Sequence, residues 1–219
     1  MRGDASFDSR DRFEKSNAYS CEDAARVTAV RRLSMLQRSL PELKRACTIL
    51  DVGAGMGHIS RMLGERGHSV FAIDRSTFAA RTVSLQPGFQ FVMADAEFPL
   101  PFRDGRFDLA LLFDAIEHLQ DPRAVLVELK RVLRRGGSVV ITTPNASTPV
   151  RWLLHEKWVG ESDPSHLALF TPYTLEFLLR RVGIQVVRIG TDSPGHPLLS
   201  HLLGRLGLAT TLTVIARTK

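Results

Sequence analysis

Asp51-x-Gly53-x-Gly55-x-Gly57, followed by Asp74, is the part of this chain whose residue types and spacing could do chemistry. A glycine-rich turn lets backbone approach a ligand closely, and an acid roughly 20 residues later can accept both hydroxyls of a ribose. Two details argue against a dinucleotide. The dinucleotide fingerprint places its third glycine where this chain has His58, and here the last glycine comes one residue early, at Gly57, so the spacing is GxGxG. Asp51, just ahead of the glycines, would oppose a pyrophosphate and suits a cationic ligand. The pattern therefore disfavours a dehydrogenase and favours a nucleoside ligand that carries positive charge and no phosphate.

These groups must be positioned by alternating strands and helices. Apolar runs fall at Thr48 to Val52, Ser69 to Ile73, Phe89 to Ala94, Leu109 to Phe113, Ser138 to Thr142, Ile184 to Ile189 and Thr211 to Ala216. Helical patterns lie at Gly57 to Glu65, Pro122 to Leu133 and Pro172 to Val182, each begun or ended by Pro or Gly. A further helix is expected from Cys21 to about Leu40, with Val27, Val30, Leu33, Leu36 and Leu40 on its apolar face. Strand and helix in alternation predict an α/β fold with a parallel sheet covered on both faces. In such a sheet ligands lie across the carboxyl ends of the strands, and Asp51, Asp74, Asp95 and Asp114 end the first four in succession. Taken singly, each has an ordinary explanation as a helix cap; four in register point to a site.

Asp51-x-Gly53-x-Gly55-x-Gly57 after an apolar strand resembles the first motif of the class I S-adenosylmethionine-dependent methyltransferases. The stretch from Phe98 to Asn145 runs in that family's register, and the resemblance covers roughly residues 46 to 190. It implies a Rossmann-like, seven-stranded, mostly parallel sheet whose last strand is antiparallel, with S-adenosyl-L-methionine as cofactor. It also implies a cofactor-binding set of Asp51, Gly53, Ala54, Gly55, Asp74, Arg75, Asp95, Ala96, Phe113 and Asp114. Within that set Gly53 and Gly55 would face the methionine part, Asp51 would orient its ammonium through the loop, Asp74 would accept the ribose diol, and Asp95 with Ala96 would face the adenine.

Methyl transfer is an in-line displacement in which alignment and water exclusion can supply most of the rate, so no dedicated catalytic residue is required. A hydroxyl acceptor gains from a base, and His118 and His166 are the candidates. No metal is expected; the weak candidates are Asp114, Glu117 and His118, which would share a face if a helix began at Asp114. Asp-x-x-Glu-His is similar to a metal-binding segment of ubiquinone-pathway O-methyltransferases and of small-RNA 2′-O-methyltransferases, the latter adding a later histidine, here His166. The function expected is methylation of a small molecule, on oxygen with nitrogen as the variant. The alternatives are an RNA 2′-O-methyltransferase, a metal-assisted quinone-type enzyme, or a silent binding module of the same fold.

Length and composition agree. At 219 residues the chain fits a flexible segment at 1–17 and one methyltransferase domain at 18–219, with a substrate-side insertion at about 145–170 that holds both tryptophans, Trp152 and Trp158. The net charge of +6 admits a nucleic-acid partner, through the basic amphipathic helix from Cys21 to about Leu40 together with Arg131, Arg134 and Arg135, without favouring one. Two cysteines, Cys21 and Cys47, imply no disulfide framework and fit a reducing cytoplasm. No apolar run is long enough to span a membrane, while the stretch His196 to Ala209 leaves room for weak membrane contact. No oligomeric state is assigned.

Overall fold

Asp51, last but one in β1 (Thr48–Val52), and Asp74, last in β2 (Ser69–Asp74), come near the ends of neighbouring strands because the two pair in parallel and in register, Asp51 opposite Ala72 and Val52 opposite Ile73. The computed structural model describes residues 22–83, 87–192 and 208–219. The expectations for residues 1–17, for Cys21 and for 196–207 lie outside them. The chain divides into two compact units, Met1–Asp95 and Ala96–Lys219.

In the first unit, β3 (Gln90–Met93) continues the parallel pairing beside β2. Helices α1 (Glu22–Ser39), α2 (His58–Gly64) and α3 (Thr77–Val83) accompany these strands. β1 is buried from Ile49 to Val52, as a strand covered on both faces must be. The helix expected over 21 to 40 is present, but its core face differs from the expected one. Ala25, Ala29, Leu33, Leu36 and Leu40 are buried, whereas Val27 and Val30 are nearly half exposed. Spacings of 4, 4, 3 and 4 follow one helical stripe, and small alanines let that stripe approach its neighbours. Large valines one or two positions away point elsewhere.

The second unit holds β4 (Phe107–Phe113), α4 (Pro122–Val132), β5 (Leu133–Pro144), α5 (Val150–Leu154), α6 (Val159–Ser162), α7 (Pro172–Arg181), β6 (Ile184–Asp192) and β7 (Thr211–Thr218). β4 and β5 are parallel, while β7 runs antiparallel to both β5 and β6, as expected for the final strand. The strand order of the seven-stranded sheet is β3-β2-β1-β4-β5-β7-β6. Helix starts are set locally. Asp121 accepts the Ala124 N–H at 2.9 Å with Pro122 in the first turn, and Thr171 forms a reciprocal cap with Thr174 ahead of Pro172. On α4, Arg131 donates to Glu128, Asp104 and the carbonyls of Leu100 and Phe102, which fixes the segment before β4. Among the described residues no helix is long and apolar enough to cross a membrane.

Gly64, the last residue of α2, is required by packing and not by backbone conformation. A Cβ there would stand 1.6 Å from the Gly88 carbonyl oxygen, a backbone atom that no rotamer change can clear. Gly64→Ala is therefore expected to cost about 1–3 kcal/mol of stability. Urea unfolding measures this, and an unchanged midpoint would contradict the close approach.

Candidate active site

In the first unit the loop after β1 is left-handed at each of its glycines, with φ of 72° at Gly53, 52° at Gly55 and 67° at Gly57. Three such turns within five residues need glycine, since a Cβ disfavours that region. The Gly53 and Ala54 N–H groups donate to the Ile73 carbonyl at 2.9 and 3.1 Å, and Gly55 N–H donates to Asp74 Oδ2 at 2.8 Å. Asp74 Oδ1 accepts the Ser76 N–H at 2.8 Å. Each Asp74 oxygen keeps a second lone pair, so the carboxylate is held rigidly and still fits a ribose diol. The left-handed glycines and the held carboxylate together fit the nucleoside and methionine parts of S-adenosylmethionine. Arg75 Nη1 lies 3.9 Å from Asp95 Oδ2, a partly exposed and loose ion pair beside the same strand ends.

Asp51 is 2% exposed and accepts the Ser60 hydroxyl from α2 at 2.6 Å. Burial is the main cause that pushes its carboxyl up to about 6; the Asp74 charge adds to the rise, and the Ser60 hydrogen bond and Arg32 oppose it. Asp51 thus ties β1 to α2, the two elements that the glycine loop connects. Ser60 was not among the expected site residues. Its signal is a small hydroxyl on the inward side of α2, between the buried Ile59 and Leu63.

In the second unit Ala96 is half-buried, and Phe113, at the end of β4, is buried. The next residue corrects an expectation. No helix begins at Asp114: its backbone is left-handed at φ 50°, and only a 3-10 turn, Ile116–His118, follows. Asp114 is tied to β5 instead, its N–H donating to the Thr142 carbonyl at 3.0 Å and its Oδ1 accepting the Thr142 hydroxyl at 2.9 Å. It therefore does not join Glu117 and His118 as a ligand set. The group that does converge is Glu117, His118 and His166, whose potential ligand atoms all lie within 4.8 Å of one another.

His166 arrives through the insertion. Asp163-Pro164-Ser165-His166 forms a turn in which His166 N–H donates to the Asp163 carbonyl and Ser165 N–H to Asp163 Oδ1, a use that suits Asp and Pro at these positions. The N–H groups of Leu167 and Ala168 then both donate to the Glu117 carbonyl, at 2.7 and 3.1 Å, which docks the turn onto the 3-10 segment. The two imidazole rings lie 4.7 Å apart between centroids. Burial pushes Asp163 upward, but the Ser165 hydrogen bonds and the nearby His166 and His118 outweigh it and hold its carboxyl below the usual carboxylate range. Trp158 is 1% exposed and packs on Gly160, where a Cβ would strike its ring, whereas Trp152 is 71% exposed. One tryptophan supports the insertion; the other faces outward.

Asp51 supplies a measurable consequence. A carboxyl raised above its unfolded value contributes stability that is present below about pH 4 and lost as pH rises through about 6. The rise from 3.8 to about 6 corresponds to about 3 kcal/mol. Asp51→Asn, which keeps an acceptor for Ser60, should melt with a flatter pH dependence between pH 4 and 7. Parallel melting curves for the two proteins across that window would contradict the buried, proton-linked Asp51.

Residues 25–189 match a family model described as a methyltransferase domain. A malonyl-[acyl-carrier protein] O-methyltransferase from Pseudescherichia vulneris is 36% identical over 129 residues, 58% of this chain and 50% of that protein. A tRNA 5-carboxymethoxyuridine methyltransferase from Escherichia coli (strain K12) is 32% identical over 136 residues, 58% of this chain and 51% of that protein. The chain thus spans about half the length of the curated relatives it matches. The crystal structure of a SAM-dependent methyltransferase from Archaeoglobus fulgidus superposes with a TM-score of 0.68 at 19% identity, covering 87% of this chain and 94% of that one, which shows the fold. With the glycine loop, the strand-end acids and the family match in agreement, the chain belongs to the class I S-adenosylmethionine-dependent methyltransferases.

Proposed function

We propose that this enzyme methylates a hydroxyl oxygen of a small acceptor and works as one methyltransferase domain from about residue 18 onward. The observation that carries the oxygen reading is the pair of imidazoles. His118 Nδ1 faces the Ser165 carbonyl at 3.1 Å and His166 Nδ1 faces the Gly160 carbonyl at 3.0 Å. A carbonyl only accepts, so each Nδ1 carries the proton and each Nε2 is the basic nitrogen. Two oriented bases suit removal of a hydroxyl proton, and an amine acceptor with a free lone pair has less need of them.

In this reading Asp74 binds the ribose diol, the loop around Gly53, Ala54 and Gly55 receives the methionine part, and Asp51 holds that loop. Asp95, Ala96, Arg75, Phe113 and Asp114 line the remainder. S-Adenosylmethionine, when bound, supplies a methyl group on a sulfonium; the sulfur–carbon bond breaks as the oxygen–carbon bond forms, leaving a neutral thioether. The chain's own residues orient the reactants, exclude water and take the hydroxyl proton at Nε2 of His118 or His166. The O-methyltransferase among the relatives supports the oxygen acceptor, and the few cysteines support a cytoplasmic setting.

The tRNA-modifying relative keeps an RNA acceptor as the second reading. Of the arginines named for it beyond the basic helix, Arg131 is engaged by Glu128 and Asp104 and Arg134 by Asp108, which weakens that part of the basic surface.

Calorimetry with S-adenosylmethionine and with NAD tests the donor: binding of the first and not the second is expected, and binding of NAD alone would overturn the assignment. Asp74→Ala should weaken S-adenosylmethionine at least about tenfold, as loss of a charged hydrogen-bond acceptor does, with the circular dichroism spectrum retained. Little change in affinity would move the ribose acceptor elsewhere. RNA affinity that falls steeply with salt, together with methyl transfer to RNA, would replace the small acceptor.

A further inference from the structure

The turn Asp163-Pro164-Ser165-His166 does more than carry a second imidazole to the first. Two oxygens of Ser165, the main-chain carbonyl and the hydroxyl Oγ, each stand 3.1 Å from Nδ1 of His118. The carbonyl can only accept, whereas the hydroxyl can act either way. Aimed at Nδ1, its proton would require a lone pair there and move the ring proton to Nε2; aimed elsewhere, the hydroxyl offers Nδ1 a second acceptor. Asp163 decides between the two, because its Oδ1 takes both the Ser165 hydroxyl at 2.5 Å and the Ser165 N–H at 2.9 Å. We propose that Asp163 is a positioning residue for His118: by holding the Ser165 hydroxyl proton it leaves only lone pairs facing Nδ1, which keeps the ring proton on Nδ1 and the basic lone pair on Nε2.

Asp163 suits this task for two reasons. An ionised carboxylate only accepts, and a short O–H···O bond to it is about twice as strong as one between neutral groups, so the Ser165 hydroxyl has little to gain by turning its proton to the ring. The Ser165 hydrogen bonds that hold Asp163 below the usual carboxylate range keep it ionised at neutral pH. The distances are also locked from both sides. The N–H groups of Leu167 and Ala168, just beyond the turn, donate to the carbonyl of Glu117, the neighbour of His118, so the turn and the ring cannot drift apart without breaking those bonds. His166 differs in having its tautomer set directly, its Nδ1 facing the Gly160 carbonyl at 3.0 Å.

The use of this device rests on the oxygen-methylation reading, in which Nε2 takes the acceptor's hydroxyl proton. The tautomer itself needs neither methyl donor nor acceptor, so the role of Asp163 and the oxygen-methylation reading can fail separately.

The test reads the imidazole nitrogens of the full, 15N-labelled chain by long-range 1H–15N correlation at about pH 8, above the ordinary histidine range, with His118 assigned by its loss in His118→Gln. In the wild-type chain His118 is expected mainly as the Nδ1–H form. Asp163→Asn keeps an amide oxygen for the Ser165 N–H and a residue type that such turns accept. It should raise the ratio of Nε2–H to Nδ1–H at His118 at least about threefold, as the loss of one charge-assisted hydrogen bond allows, while His166 does not move in that direction. Ser165→Ala, alone or combined with Asp163→Asn, should keep the wild-type ratio, because no hydroxyl is left to donate. A wild-type His118 found mainly as Nε2–H, or an unchanged ratio in folded Asp163→Asn, overturns the proposal. So does an equal shift in the double variant, which would mark a loosened turn. Should Asp163→Asn fail to fold, Ser165→Ala decides: a retained ratio supports the proposal, and a gain of Nδ1–H on losing the hydroxyl overturns it, since that hydroxyl would then be donating to His118 in the wild-type chain.

Discussion

The clamp between the glycine loop and the end of the second strand is the constraint on which this molecule's first unit depends. Loop N–H groups of Gly53, Ala54 and Gly55 are all spent on β2, two on the Ile73 carbonyl and one on the Asp74 carboxylate. That pattern is available only if β1 and β2 are parallel and in register, so that both strands end at the same level. It also needs left-handed backbone at Gly53, Gly55 and Gly57, which a chain of ordinary residues would adopt at a cost of about 1–2 kcal/mol each. The Asp74 carboxylate is thereby fixed by backbone donors, the N–H groups of Gly55 and Ser76.

Asp51 and Asp74 show how two identical side chains acquire different roles from their surroundings. Asp74 ends β2 and accepts the Gly55 and Ser76 N–H groups, whereas Asp51 lies in β1, buried against Ser60 and pushed toward neutrality. The first is held by backbone donors; the second is held by a helix hydroxyl. The second unit repeats the contrast, with Asp114 committed to Thr142 and Asp163 to its own turn, while Glu117 stands with the two histidines.

The insertion after β5 turns local turn chemistry into long-range placement. Asp163, Pro164 and Ser165 make a turn by themselves, and two N–H groups just beyond it seize the Glu117 carbonyl. Trp158 stiffens the base of that insertion and Trp152 is left facing outward, so the pair divides between packing and exposure. Arg131 and Arg134, which on sequence alone read as a basic surface, instead stitch α4 and β5 to neighbouring acids. Net charge describes a surface only after such internal pairings are removed.

Much of this was legible from residue types and spacing. Periodicity located all seven strands and the main helices, because burial on two faces imposes apolar runs and burial on one face imposes a helical stripe. The GxGxG turn with Asp51 and Asp74 named its own chemistry, because left-handed glycines and a following acid are local requirements. What sequence misread were matters of direction: which stripe of α1 faces inward, and whether a helix starts at Asp114. Both turn on competition with distant partners, alanine-lined close packing in one case and Thr142 in the other. Likewise, His118 and His166 are 48 positions apart in sequence, and only the docking of the insertion onto Glu117 brings their rings to 4.7 Å. The sequence by itself determined the strands, the glycine turn and the acids that end them, since these follow from local geometry; the tertiary structure alone decided which side chains meet, since that is settled by long-range hydrogen bonds no spacing rule encodes.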